Sequence, residues 1–368
     1  MNIRLELAGK DRELMVRKLK VKVNSFNFST PIKALAYSGF SGRNELNLTV
    51  KYPCTLGEVC RNISLDNLKL MREDESKFEE TRKKWRKILL TSKIKCQLTT
   101  FILMIDKVPN EKLLDILMDV MEGLNVDIIV MPLIKTCNTR EYMDFILNFI
   151  EFIETINLRG RLLAHSIPFQ ITKKRSRLIN TLKILERLLP DIIVYDFGGS
   201  NPFSSNLYIP YRYFLEWKNT LEERKGSPIL VYGVNIKYRN TRYPIPARDV
   251  ASLFMNVDIL GSNHVIIRIK KNGFEPKLLD IGNYAYFKLN EAEDNIPDKF
   301  KENTLLSIND VIKNKDNYRL FNVERQLIET ENIKFLIEKG TNMKNYIKSK
   351  KYLDPEAKSI ILKTHKRY

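Results

Sequence analysis

The chain has 368 residues, of which 62 are Lys or Arg and 44 are Asp or Glu, so its formal net charge is +18. With 43% hydrophobic and 29% charged residues, the composition excludes a disordered or fibrous protein. No apolar run reaches the ~20 residues of a membrane-spanning helix, and the first residues lack a signal-peptide core, so we expect a cytoplasmic protein with no membrane partner. The excess of positive charge favours a polyanionic partner, although lysine-rich solvated surfaces would also explain it.

Apolar, β-branched runs alternate with amphipathic stretches along the chain. The first strand is predicted near 21–36 and a charged helix over 73–90. Further strands, buried on both faces, are predicted over 96–106, 126–134, 161–169, 190–199, 227–236 and 256–269. Apolar residues spaced three or four apart predict helices over 110–124, 140–156, 175–189 and 212–224.

This alternation indicates βαβ units around a parallel sheet. The strand count approaches eight, so we predict an α/β protein whose core is a (β/α)8 TIM-like barrel with a C-terminal helical extension. A doubly wound sheet would show the same alternation, but no GxGxxG motif follows a strand. We place the barrel at 1–290, an irregular linker at 291–317 and the basic helical extension at 318–368.

Cysteine and histidine spacing gives no sign of a metal site. The four cysteines form no CxxC pair and predict buried free thiols: Cys54, Cys60, Cys96 and Cys137. The histidines are too scattered for a metal triad, so we expect no metal and no cofactor. His165 and His264 each follow an apolar run, where a histidine could be an acid or base or a buried core residue.

Reactive side chains of parallel barrels lie at the carboxyl ends of the strands. Asp106 and Asp258 are therefore candidates for a catalytic carboxylate pair. Gly198 and Gly199 lie at the end of a predicted strand and would let backbone N–H groups approach a planar ligand or phosphate, or would form a tight turn.

Basic residues also follow two of the predicted strands. They could hold a phosphate backbone at the barrel mouth, or be solvated helix starts. They are Lys173, Lys174, Arg175, Arg177, Lys237, Arg239 and Arg242.

Five stretches, in this order, carry a family resemblance. They are FSTPIKAL (28–35), VDIIVMPLI (126–134), IVYDFGGSNPF (193–203), ILVYGVN to MNVDILGS (229–262), and the helical segments 318–340 and 354–365. Together they resemble the archaeal-type tRNA-guanine transglycosylases, barrels that exchange a guanine in tRNA for a deazaguanine precursor. The resemblance implies a base-binding site at Gly198 and Gly199, with Ser166 and Gly233 at neighbouring strand ends.

The chain departs from that family at its chemical residues. Gly261 stands at the position of the nucleophilic aspartate, and glycine cannot form a glycosyl-enzyme bond. The segment 290–322, where the family's zinc ligands would fall, contains no Cys or His, and Asp106 is followed by Lys107 instead of Ser-Gly. The resemblance thus implies a divergent pseudoenzyme that has lost base exchange. Such a protein would bind tRNA or another structured nucleic acid, or serve as the non-catalytic partner of a transglycosylase or archaeosine-pathway subunit.

Two other interpretations remain open. In the first, the chain is an active base-exchange enzyme on tRNA or DNA, with Asp258 or Asp196 as nucleophile and Asp106 as base. In the second, it is purely a protein-binding scaffold whose basic clusters are solvated.

Overall fold

The structure, a computed structural model, describes residues 3–11, 13–36, 54–155, 161–238, 243–265, 277–288, 311 and 315–364. The chain begins with an antiparallel sheet of three strands, β1 (Ile3–Lys10), β2 (Arg17–Val23) and β3 (Phe26–Ser29). Along β2, the valines and Leu19 face inward while Lys18, Lys20 and Lys22 face outward. This alternation is that of a half-buried strand.

A curved parallel sheet follows. Its strands are β4 (Ile32–Lys33), β5 (Leu35–Ala36), β6 (Leu56–Ile63), β7 (Leu98–Lys107), β8 (Ile128–Val130), β9 (Leu133–Thr136), β10 (Leu162–Ile167), β11 (Ile192–Ser200) and β12 (Leu230–Ile236), then, after β13 (Ile245–Pro246), β14 (Ile259–Leu260). A second small antiparallel sheet joins β13 to β15 (Lys277–Asp280) and β16 (Ala285–Lys288).

The parallel sheet is nearly closed on itself. Its neighbours run β4, β14, β12, β11, β10, β8, β7, β6, β5. Because β4 and β5 are separated only by Ala34, one short segment pairs with β14 on one side and with β6 on the other. The backbone N–H of Ala34 also donates to Leu260 O at 3.0 Å. The fold is therefore mixed α/β and TIM-barrel-like.

Eleven helices lie among the described residues. They are α1 (Leu65–Glu73), α2 (Glu75–Lys95), α3 (Glu111–Glu122), α4 (Thr139–Thr155), α5 (Phe169–Thr172), α6 (Arg175–Leu188), α7 (Ser205–Lys225), α8 (Arg248–Ala251), α9 (Lys315–Glu338), α10 (Met343–Ser349) and α11 (Pro355–Thr364). The charged helix predicted over 73–90 corresponds to α2, which extends to Lys95 and whose first turn is capped by the Asp74 side chain. The preceding helix, α1, was not predicted. No helix in the described part of the chain has the length and apolar character that a bilayer crossing requires.

The two ends of the barrel differ. The inner face of the β1–β3 sheet, including Leu19 and Val21, shares a core with residues that begin barrel strands, such as Leu56 and Leu98. That sheet therefore covers the amino ends of the strands. A larger core between strands and helices contains Cys54, Cys96 and Cys137, and all four cysteines are buried free thiols, as predicted. The carboxyl ends remain accessible and carry the candidate site.

Candidate functional site at the carboxyl ends of the strands

A buried carboxylate lies at the centre of the site. Glu58, on β6, is fully buried and binds the imidazole of His264, which follows β14. The hydroxyl of Tyr232, on β12, also donates to Glu58, and the backbone N–H of Ser262 donates to its Oε1 at 3.1 Å. Two other segments of the chain, β12 and the segment after β14, thus converge on one carboxylate. A fully buried carboxylate needs such partners to offset its loss of hydration.

Glu58 and His264 form an ion pair. Burial alone would raise the pKa of Glu58, but the charge and hydrogen bond of His264 and the charge of Lys33 hold that pKa below its ordinary value. Burial would likewise lower the pKa of His264, yet the Glu58 charge raises it to about 10. At neutral pH the pair is therefore carboxylate and imidazolium.

A second buried carboxylate, Asp196, lies within β11, two residues before Gly198. Its Oδ1 accepts from the N–H of Gly198 and from Asn235 Nδ2, both at 2.8 Å, and Asn235 Oδ1 accepts from the N–H of His264 at 2.7 Å. Burial raises the pKa of Asp196, and the hydrogen bond from Asn235 opposes that shift. Asn235 thus links the Asp196 carboxylate to the segment that carries His264.

Two cavities open on either side of His264. The first, which we call the mouth pocket, has a volume of about 290 Å³. Its lining residues come from β6, β7, β9 and β11, from α5 and from the segment after β14, and they include Lys135, Phe169, Asp196, Gly198 and His264.

The second, which we call the side cavity, has a volume of about 370 Å³ and lies between the barrel and α9. Lys33, Lys237, Asp249, His264 and Arg319 are its charged lining residues. His264 is thus the side chain that the two cavities share.

Gly261 explains how the Glu58 carboxylate fits. A Cβ at this position would lie 2.7 Å from Gly233 O, 2.8 Å from Tyr232 Cε2 and 2.9 Å from Glu58 Oε2. The space that a side chain at position 261 would need is therefore already occupied, in part by the carboxylate of Glu58 from β6. The packing at this position is consistent with glycine alone.

Placing an aspartate at position 261 is expected to destabilise the protein. Gly261→Asp forces a Cβ against a backbone carbonyl and adds a second negative charge beside Glu58, so we expect a loss of about 1–3 kcal/mol or more in the free energy of unfolding. Urea denaturation measures it. Gly261→Ala serves as the control that adds the Cβ without the charge, and an unchanged stability in both variants would contradict the close packing.

The proposed base-binding residues separate into two groups. Gly198 lines the mouth pocket with φ of +58°, a left-handed conformation that lets its N–H reach Asp196, and Gly199 follows with φ of +82°. Ser166 is fully buried and its hydroxyl donates to Pro132 O at 3.2 Å. A Cβ at Gly233 would meet Ile236 at 2.7 Å, so this glycine serves close packing. Neither Ser166 nor Gly233 is among the residues that line the two cavities.

The structure does not bring the two candidate catalytic aspartates together. Asp106 lies at the carboxyl end of β7, where it accepts from the N–H of Leu65 at 2.9 Å at the start of α1. Asp258 precedes β14 and thus lies at the amino end of the barrel, where Arg17 Nε and Nη2 donate to it at 2.9 and 2.7 Å. A pair at opposite ends of a parallel sheet cannot act on one reacting atom, so the expectation of a shared pocket is corrected.

The histidines also differ. His165 is buried in β10, and burial lowers its pKa to about 4, so it is neutral at physiological pH. His264 is charged and lies between the cavities. The two histidines, which the sequence left equivalent, therefore have different roles.

The basic residues after β10 lie near the mouth pocket. Lys173 Nζ lies 4.6 Å from the ring centroid of Phe169, which lines that pocket, and Arg175 lies 5.1 Å from the ring of Tyr213. Lys174 is exposed, and Arg177 contacts Gln170 O at 3.5 Å. The remaining predicted basic residues follow β12: Lys237 lines the side cavity, and Arg239 and Arg242 lie outside the described residues.

Within the described residues, no group of three or more His, Cys, Asp or Glu side chains is arranged to hold a metal ion. No protein-family model matches this chain, and no curated protein matches it either.

Proposed function

We propose that this chain is a (β/α)8 barrel of the transglycosylase type, with α9 to α11 as its C-terminal extension, that binds tRNA or another structured nucleic acid without exchanging a base. One observation carries the loss of exchange: the Glu58 carboxylate, locked to His264 and Tyr232, fills the space beside Gly261. A carboxylate that is fully buried and hydrogen-bonded has no access to a sugar carbon. The chain would act as an RNA-binding subunit, alone or beside a catalytic partner.

Charge at the carboxyl end supports the choice of a nucleic acid. Lys135 lines the mouth pocket, Lys173 lies over Phe169, and Lys174 and Arg175 are exposed at the start of α6. Cations near an aromatic ring suit a phosphate backbone with an unpaired base beside it. The mouth pocket itself presents the Asp196 carboxylate and the Gly198 backbone, groups that can meet the polar edge of a base.

Reversing three of these charges tests the proposal. In the combined variant Lys173→Glu, Lys174→Glu and Arg175→Glu, we expect affinity for a tRNA transcript to fall at least tenfold at moderate salt. The slope of log K against log salt should become shallower by about 2, since each lost phosphate contact removes roughly 0.7–0.9. Fluorescence anisotropy over a salt series measures both quantities.

A matched control sits at the other end of the barrel. Arg4, Lys20 and Lys22 are exposed on the β1–β3 sheet, and reversing them changes the net charge by the same amount. If both triple variants lose affinity equally, binding follows net charge and not the mouth. If neither does, the nucleic-acid proposal fails and the protein-binding scaffold is favoured.

Asp196 supports a second candidate, an active exchange enzyme. This carboxylate lines the mouth pocket, and burial raises its pKa, as expected for a group kept ready for proton transfer or attack. Incorporation of labelled guanine into tRNA or DNA by the purified protein, abolished in Asp196→Asn, would establish exchange and overturn the non-catalytic proposal.

A further inference from the structure

The side cavity contains an amine in an unusual setting. Lys33, on β4, is 3% exposed and lines this cavity. Its Nζ contacts Leu260 O at 3.2 Å, Gly261 O at 2.9 Å and Ser262 Oγ at 3.1 Å. Ser262 carries a hydroxyl hydrogen, so these three partners also satisfy a neutral amine, which donates to the two carbonyls and accepts from the serine.

No carboxylate is hydrogen-bonded to Lys33 in the described structure, and burial lowers its pKa to about 8, with the charges of Glu58 and Asp249 opposing that shift. At this value roughly a tenth of the amine is neutral at pH 7, far more than for an exposed lysine. Desolvated lysines of this kind act as amine nucleophiles toward carbonyl compounds.

A buried acid shares the cavity. Asp249 is 7% exposed, and its Oδ2 accepts from Tyr286 and from Gln326 Nε2. Its Oδ1 is buried with no hydrogen-bond partner among the described residues. Burial raises the pKa of Asp249 to about 6, while the Tyr286 hydrogen bond opposes the rise. An unpartnered buried carboxylate oxygen is costly, and a ligand that brings a donor would remove that cost.

Positive charge lines the rest of the cavity. Lys237 and Arg319 are partly exposed, and each can meet an anionic group. Arg319 also has a long ion pair within α9, with its Nη1 3.8 Å from Asp316 Oδ1. The lining thus combines a buried amine, a buried acid, the charged His264 and two further cations in one volume.

We propose that Lys33 is the nucleophile of a second site, in the side cavity, that forms an imine with a small aldehyde or ketone carrying an anionic group. The Lys33 nitrogen adds to the carbonyl carbon, and the carbonyl oxygen leaves as water with the two amine hydrogens. The Asp249 carboxylate takes a proton from nitrogen and passes it to the departing oxygen. The step needs no oxidant or reductant, and it does not depend on nucleic-acid binding at the mouth.

Reductive trapping tests this site in the full chain. The protein is incubated with glyoxylate and sodium cyanoborohydride at pH 7, and the mass gain at every lysine is read by peptide mass spectrometry. We expect Lys33 to be modified about tenfold faster than Lys237, which lines the same cavity but is more exposed. The measurement uses the unaltered protein, so it does not depend on any variant folding.

Two comparisons make the result specific. Acetaldehyde, which lacks the carboxylate, should modify Lys33 more slowly than glyoxylate, and an equal rate would overturn the requirement for an anionic group. Asp249→Asn should slow modification of Lys33 and leave that of Lys237 unchanged. The proposal is overturned if, in protein shown to be folded by circular dichroism, Lys33 is no more reactive than Lys237.

Discussion

Replacing Glu58 with Gln is expected to lower the free energy of unfolding by about 3–5 kcal/mol at pH 6, because it removes one partner of a buried ion pair and leaves the other charged. The amide also cannot accept from both His264 and Tyr232 as the carboxylate does. Urea denaturation followed by circular dichroism measures the loss.

An exposed ion pair gives the control. Glu80 is 70% exposed on its side chain and pairs with Lys77 one helical turn away, so Glu80→Gln should change stability by less than about 0.5 kcal/mol. A loss below 1 kcal/mol in Glu58→Gln would mean that the pair contributes no more than a surface contact.

The same pair has a defined pH dependence. His264 has a folded pKa raised to about 10, so its contribution is fully present below the unfolded value of about 6.5 and is lost as the pH rises toward 10. Glu58 has a lowered folded pKa, so its contribution is present above about 4.5 and is lost at lower pH. The stability difference between wild type and Glu58→Gln should therefore be largest between about pH 4.5 and 6.5 and shrink toward pH 10.

Replacing Asp258 with Asn is expected to cost about 3–5 kcal/mol of stability while leaving nucleic-acid affinity of the folded fraction unchanged. Asp258 and Arg17 are 2% and 5% exposed on their side chains, and Arg17 also pairs with Glu222 and donates to Ile229 O. The Asp258 Oδ2 further accepts from the N–H of Val231 at 2.8 Å, so the carboxylate fixes the amino ends of β12 and β14. Chemical denaturation and tRNA anisotropy on the same preparation separate the two effects.

Asp66 is the matched control, since its side chain is 86% exposed beside Lys69 and Asp66→Asn should be nearly neutral. An Asp258→Asn protein of normal stability that has lost an exchange activity would instead return Asp258 to a catalytic role.

Much of the fold followed from hydrophobic periodicity. The predicted strand 96–106 corresponds to β7, and the helix 110–124 to α3, because both are long and strongly patterned. The strand carrying Glu58 was missed, since the sequence LGEVCRNI of β6 places Gly, Glu and Arg inside what would otherwise be an apolar run. A residue with a buried partner more than two hundred positions away leaves no local signal.

Strand boundaries decided which site residues were predicted correctly. The strand predicted over 256–269 starts before Asp258, and this residue was counted among the candidates at the carboxyl ends of strands. In the structure β14 begins only at Ile259, so the carboxylate lies before the strand and at the other end of the barrel. Ser166 was expected at a rim but lies one residue before the end of β10 and inside the core. Lys33 offered a clue to the side cavity that the sequence analysis did not exploit. A lone lysine in the apolar segment FSTPIKAL is expected to be buried, and a buried lysine needs either hydrogen-bonding partners or a chemical role.

The segment that closes the barrel, β4 and β5, also makes one of the barrel's strand pairings a late event in folding. Lys33 on β4 and Leu260 on β14 pair where the barrel closes, and they are 227 residues apart. Forming this contact therefore costs the entropy of closing a loop that contains most of the chain. During synthesis β4, the first barrel strand, emerges from the ribosome early. One of its backbone edges stays unpaired until β14 has also emerged, when nearly three-quarters of the chain is outside the ribosome. The short length of β4 and β14 limits how much unpaired edge is exposed in that interval, and so limits the opportunity for pairing with another chain.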